Sequence, residues 1–316
     1  MFGNHGYAFD PNYGYSLNDL LAVSAPVCPL DYAEFWQTRY QLALALPVLP
    51  VLRLLDEREP YRVYEIEYPS SEGFLIKGWL LVPAHGKVKR GFVVGHGYGG
   101  REEPDWHLPF SDAALLFPCF RGLGRSVCQS VSAQPEQHVL TGIEHRDHYI
   151  IGGCVDDLWL SVSVLLQLYP EITGRIGYLG ISFGGGVGAL AVSWDDRIVK
   201  AHFNVPTFGH QPLRLQLATA GSAYAVQSCV QHQPTVIETL RYFDAALSAR
   251  FAQQPALFAL AKFDPYVAPP GQFAIYNAWS GPKQLFLMDA GHFAYPEQET
   301  QDDCLLDELK DFFSFE

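Results

Sequence analysis

Residues 176–192 read Ile-Gly-Tyr-Leu-Gly-Ile-Ser-Phe-Gly-Gly-Gly-Val-Gly-Ala-Leu-Ala-Val, and most of the fold follows from them. Ile176 to Leu179 is a short apolar run of strand type. Gly180-Ile181-Ser182-Phe183-Gly184 is a G-x-S-x-G, and the small and apolar residues after it start a helix. A serine between strand and helix in this setting is a nucleophile elbow. The chemistry needs that spacing: the serine sits on a sharp, strained turn that exposes its Oγ. Glycines on either side let neighbouring backbone pass without a Cβ clash.

Working outward, apolar runs recur at 92–95, 115–120, 176–181, 198–203, 256–261 and 284–288. Helical patterns lie between several of them, at 155–168, 186–192, 239–249 and 273–278. Such alternation predicts an α/β fold, a mostly parallel central sheet with helices on both faces. Residues 61–68 and 74–81, rich in aromatic and β-branched types around Ser70-Ser71-Glu72-Gly73, predict a β-hairpin. Residues 1–60 read as a helical N-terminal extension. Ser16 caps a helix from Leu17 to Val23, and Asp31 starts a longer one to Leu46, ended by Pro47. Residues from about 206 to 239 break the alternation and read as a cap-like insertion. No linker is visible, so residues 1–316 are expected to form one domain.

A serine hydroxyl needs a base, and in this architecture the order is nucleophile, acid, histidine. Downstream of Ser182 lie His202, His210, His232 and His292. His292 follows an apolar strand run and the turn Asp289-Ala290-Gly291, which favours it as the base. His202 falls inside a strand; His210 and His232 fall in the cap-like stretch. Asp264 ends the preceding strand and is the favoured acid. Asp289, on the same turn as His292, suits capping that turn better. Upstream, Phe92–Gly95 runs into His96-Gly97-Tyr98-Gly99-Gly100. Acyl transfer needs two N–H donors aimed at the developing oxyanion. The backbone N–H groups of Tyr98 and Phe183 are the candidates.

Two other patterns compete. Gly95, Gly97 and Gly100 fit G-x-G-x-x-G, but the next strand run ends in Arg121 and carries no acid for a ribose. His145-Arg146-Asp147-His148 holds three possible ligands, but its spacing matches no zinc pattern and reads as a solvated turn. No cofactor and no metal are expected. The net charge of −13, without a basic cluster, disfavours nucleic acid and anionic membrane surfaces. Hydrophobic content of 48% excludes a disordered chain. The apolar stretch 42–55 is broken by Pro47, Pro50 and Arg53 and is short for a membrane span of about 20 residues. The first residues lack a basic segment followed by an apolar one. Six scattered cysteines without a C-x-x-C fit reduced thiols, and the expected location is cytoplasmic.

These motifs, in this order, resemble the acetyl xylan esterase / cephalosporin C deacetylase group, carbohydrate esterase family 7, within the α/β-hydrolase fold. The likeness rests on Asp31-Tyr32-Ala33-Glu34-Phe35-Trp36, His96-Gly97-Tyr98-Gly99-Gly100, Arg121-Gly122-Leu123-Gly124 and Thr141-Gly142-Ile143 with Tyr149 and Asp156. It continues in residues 238–244, Asp264 with Val267, residues 273–277 and Gly281-Pro282-Lys283. The resemblance implies Ser182, Asp264 and His292 as a triad, with Tyr98 and Phe183 donating backbone N–H groups. It further implies deacetylation of small sugar-like esters inside the cell, by a hexameric ring. Three residues depart from the family pattern: Phe183 and Leu123 replace glutamines, and Phe293 replaces an acidic residue after the histidine. From this, Phe183 and Phe293 are expected to flank the reacting carbonyl in a short acyl slot, with His210 also near the substrate. A hydrolase of longer acyl esters or peptides, or a non-catalytic binding member, are the competing readings.

Overall fold

The computed structural model describes residues 5–315. Nine strands form one sheet among them: β1 (Val51–Arg58), β2 (Tyr61–Pro69), β3 (Leu75–Pro83), β4 (Arg90–Gly95), β5 (Ala113–Cys119), β6 (Ile176–Ile181), β7 (Ile198–Asn204), β8 (Ala256–Ala261) and β9 (Lys283–Met288). Their spatial order is β1-β2-β3-β5-β4-β6-β7-β8-β9. β1, β2, β3 and β5 pair antiparallel in turn, while β5, β4, β6, β7, β8 and β9 run parallel. The central strands β4, β5, β6 and β8 are buried on both faces, which is why they read as unbroken apolar runs.

Helices cover both faces. One face packs on the helices Tyr32–Leu44, Ile150–Leu168, Phe183–Ala191 and Pro269–Ala278, with Trp36, Trp159, Phe183 and Phe203 fully buried between. The other packs on the helix Gln298–Phe312, whose Leu305 and Leu309 meet Phe92, Phe110 and Phe117. Ile150–Leu168 has the length and hydropathy of a membrane span, yet 83% of that window is buried within the protein. It is largely apolar because neighbours surround it, and its two buried carboxylates, Asp156 and Asp157, pair with Arg39 and Arg121.

Three expectations need correction. The segment 1–60 is not helical throughout: β1 occupies Val51–Arg58 and extends the sheet past the hairpin. Pro47 and Pro50 exclude a continuing helix, and Arg53 faces Glu65 across the pair at 2.6 Å. The helix expected over 239–249 is two short ones, Ile237–Leu240 and Ala245–Ser248. Asp244 interrupts it by capping the second, its carboxylate accepting from the Ala246 N–H at 3.0 Å. Asp31 stands at the head of Tyr32–Leu44, but its side chain does not cap it. That carboxylate instead accepts from the Tyr242 hydroxyl and from Arg146.

β4 positions the site. Its neighbours are β5 on one side and β6 on the other, so the connections leaving its carboxyl end and that of β6 diverge. Such a divergence is the usual ligand position of these sheets. The His96–Gly100 loop and Ser182 both stand at it.

Candidate active site

Ser182 follows β6 with φ +53° and ψ −110°, a left-handed backbone that costs a non-glycine residue about 1–3 kcal/mol. The surroundings hold it there. Its N–H donates to the Asn204 carbonyl at 2.8 Å, and its carbonyl accepts from Gly186 and Thr207. The flanking glycines are required by space. A Cβ on Gly180 would lie 2.5 Å from the Gly184 carbonyl oxygen, and one on Gly184 would lie 2.6 Å from the Gly95 carbonyl carbon.

His292 also has a left-handed backbone, φ +50°. The turn brings its Nε2 to 2.8 Å from Ser182 Oγ and its Nδ1 to 2.8 Å from Asp264 Oδ2. Asp264 is fully buried, and its second oxygen accepts from the N–H groups of Tyr266 and Val267, both at 2.9 Å. Gln272 Nε2 donates to Oδ2 at 3.1 Å. The N–H of Asp264 donates to the Pro11 carbonyl at 3.1 Å, so the N-terminal segment braces the acid loop. With its oxygens so held, Asp264 can only present one edge to His292. Burial works against the charged ring, but the hydrogen bond and charge of Asp264 outweigh it and raise the His292 pKa above its ordinary value. Asp289 faces elsewhere, paired with Lys262 at 2.5 Å.

The His96–Gly100 loop packs on the elbow. The Gly184 N–H donates to the His96 carbonyl at 2.9 Å, and a Cβ on Gly97 would lie 4.0 Å from Ser182 Cβ. Phe183 is the first residue of its helix, so its N–H has no intrahelical acceptor. Neither that N–H nor the one of Tyr98 donates to another group among the described residues. Phe183 is the residue after Ser182, and Tyr98 is the residue after Gly97, which faces Ser182.

The aromatic expectations fare differently. The Phe183 ring is fully buried, stacked on Tyr98 at 4.1 Å and edge-on to Phe120 and Phe208. It therefore forms no wall of an open acyl slot, and that expectation is corrected: at the first position of a helix pressed on the core, an aromatic ring turns inward. Phe293 packs against Phe263 and Tyr7 and lines a cleft of about 430 Å³ with Ile181, Asn204 and His292. His210 caps a short helix, its Nδ1 accepting from the Leu213 N–H at 3.2 Å. No contact among the described residues joins it to Ser182 or His292. His202 is buried in β7 against the Leu257 carbonyl, and burial pushes its pKa down to about 4. Within residues 145–148, Arg146 pairs with Asp31; among the described residues no group of three His, Cys, Asp or Glu could hold a metal.

One residue escaped the sequence reading. His138 is buried, with Nδ1 2.8 Å from the Tyr98 hydroxyl and Nε2 2.9 Å from the Arg121 carbonyl. It lies 40 residues from Tyr98, on a four-residue helix, and no local pattern announces it.

A sheet of this order, with a serine on the turn after β6 and a histidine on the loop after the last strand, defines an α/β hydrolase. The family model described as acetyl xylan esterase (AXE1) matches residues 17–305. The chain belongs to that family and is a carboxylic ester hydrolase. Among solved structures it is similar to the acetyl xylan esterase from Paenibacillus sp. R4, with a TM-score of 0.84 and 22% identity over 94% of this chain and 100% of that one. Acetyl xylan esterase 1 from Thermoanaerobacterium sp. JW/SL YS485 aligns with a TM-score of 0.80 and 18% identity, covering 95% and 99%. The Pyrococcus horikoshii acylaminoacyl peptidase shares the fold at a TM-score of 0.61 and 15% identity, over 81% of this chain and 42% of that one.

Proposed function

We propose that the protein is a serine esterase that removes acetyl groups from small sugar-like or cephalosporin-type esters through an acyl-enzyme. The observation that carries this is the continuous line of 2.8 Å contacts from Ser182 Oγ through His292 to Asp264. His292 takes the Ser182 proton as Oγ attacks the ester carbonyl. The buried Asp264 holds the ring with its Nδ1–H directed at the carboxylate and stabilises the imidazolium that forms. The N–H groups of Tyr98 and Phe183 receive the oxyanion. His292 then returns the proton to the leaving alcohol, and water, activated by the same ring, releases acetate. None of these steps calls on a cofactor.

Acetyl preference and the small alcohol rest on the family. Assembly as a hexamer is proposed on the same basis, supported by exposed apolar side chains in the N-terminal segment, among them Val27, Leu42 and Leu49. A cytoplasmic setting accords with six unpaired cysteines.

The test is Ser182→Ala. Turnover of p-nitrophenyl acetate should fall about 10⁴-fold or more with the fold retained. A variant keeping a tenth of the activity would refute the mechanism.

A further inference from the structure

The His96–Gly100 loop has a mechanical problem. An oxyanion donor must be held to within a fraction of an ångström, because a misplacement of about 1 Å costs on the order of 10²-fold in rate. Yet Gly97, Gly99 and Gly100 make three of the five loop residues, the composition least able to hold a backbone still. Part of the answer lies in the backbone. His96 is buried, its Nδ1–H donating to the Gly97 carbonyl at 2.6 Å and its Nε2 accepting from the Phe120 N–H at 3.0 Å. Gly100 N–H closes the turn on Gly97 at 3.1 Å. These bonds fix the two ends of the loop and leave Tyr98, at its centre, to its side chain.

That side chain is gripped twice. Its ring stacks on the Phe183 ring at 4.1 Å with 29° between planes. The two residues with free N–H groups beside Ser182 are thus pressed against each other face to face. Its hydroxyl reaches His138 Nδ1 at 2.8 Å. The polarity of that bond is set from the far side: His138 Nε2 donates to the Arg121 carbonyl at 2.9 Å, so in the neutral ring Nδ1 is an acceptor and the tyrosine donates. Burial lowers the His138 pKa, which keeps the ring neutral at pH 7. Arg121 is itself fully buried, with its guanidinium on the fully buried Asp157 at 2.7 Å.

We infer that His138 is a positioning residue for ester hydrolysis: through the Tyr98 hydroxyl it holds the Tyr98 N–H at the oxyanion, anchoring the glycine-rich loop to the buried Arg121–Asp157 pair. This rests on the serine-esterase reading above and assigns a role that neither the motifs nor the triad geometry contain. His138 touches no reacting atom; it acts through Tyr98.

The experiment is a double-mutant cycle on p-nitrophenyl acetate with Tyr98→Phe and His138→Gln. Tyr98→Phe keeps the ring stacked on Phe183 and removes only the hydroxyl, so it stands as the test even where His138→Gln fails to fold. Each variant should lower kcat about tenfold with KM within about twofold, and the double variant should lose no more than about threefold beyond either single. A trifluoromethyl ketone, which adds Ser182 Oγ to form a tetrahedral adduct with an oxyanion, reads the same geometry without turnover. Its inhibition constant should rise in parallel with the loss in kcat/KM. A merely structural role would leave that correlation absent. Tyr98→Phe with wild-type kcat, losses that multiply in the double variant, or an unchanged inhibition constant would each overturn the inference. Ser182→Ala run beside them separates the failures: retained turnover there refutes the serine-esterase reading itself.

Discussion

Replacing Arg121 with methionine leaves the fully buried Asp157 without its cation. In the wild type the Arg121 guanidinium meets Asp157 at 2.7, 3.1 and 3.2 Å, and its remaining N–H groups reach Ser70, Ser71 and Glu72. Its Cζ lies 4.5 Å from the Phe74 ring centroid. Both charged side chains of the main pair are 0% exposed, so no solvent screening softens the loss; Glu72 is 45% exposed and adds little. Breaking one partner of such a pair costs about 3–5 kcal/mol, because the charge left behind is uncompensated. Unfolding entropy of about 2.1 cal/mol/K per residue gives this chain about 0.7 kcal/mol per kelvin at the midpoint. The expected fall in Tm for Arg121→Met is therefore about 5–8 °C, measured by differential scanning calorimetry. The cause is testable separately. Asp157→Asn keeps an acceptor for the Arg121 N–H, which bonds the carboxylate at 3.0 Å, but removes the charge. The double variant Arg121→Met/Asp157→Asn should recover about 1–2 kcal/mol relative to Arg121→Met alone. A Tm shift under 2 °C, or a double variant no more stable than the single, would refute the uncompensated-charge argument.

Other outcomes follow from the site. On the proposed mechanism His292 must be neutral to accept the Ser182 proton, so kcat/KM should rise with pH through its ionisation. Asp264 raises that pKa, which places the midpoint of the limb above about 6.5. Asp264→Asn should move the midpoint down and lower kcat by about 10⁴-fold; an unmoved limb would point to another base. The same raised pKa makes protonated His292 stabilising to the fold, a contribution full below the unfolded value and lost as pH rises through the folded one. Gly291→Ala puts a methyl 2.5 Å from Asp264 Oδ2 and 2.8 Å from Val205, and should cut kcat by on the order of tenfold without preventing folding; full activity in steady-state assays would show that the acid loop yields freely. In a p-nitrophenyl ester series, acetyl should exceed octanoyl by at least about tenfold, and a flat series would refute the short-acyl assignment.

The sequence made the centre of the molecule legible and its margins less so. Strands β4, β6 and β8 are covered on both faces and have few ways to be read except as apolar runs. Ser182 follows directly on β6, and Asp264 and His292 stand in the loops just past β8 and β9, where a chain-order rule applies. β1 is an edge strand with one half-buried residue in eight, so no burial pattern marks it. Asp244 breaks the 239–249 helix because it also accepts from the N–H groups of His210 and Gln211, more than 30 residues away. Such a contact leaves no local period. The inward turn of Phe183 was hidden for a related reason: which way a ring points from a helix start depends on what lies behind it, here Tyr98, Phe120 and Phe208.

The hydrogen bond from Asp264 to Pro11 has a bearing on how the enzyme comes to be active. It joins the acid loop to a segment roughly 250 residues earlier, one of the widest loop closures the chain makes. Synthesised ahead of the strands, residues 5–15 must wait for nearly the whole sheet before they meet their partner. The sheet can form, and the core tryptophans Trp36 and Trp159 be shielded, while the acid loop still lacks its brace. In refolding from denaturant, esterase activity should accordingly return after the tryptophan signal, with the interval set by docking of the amino-terminal segment.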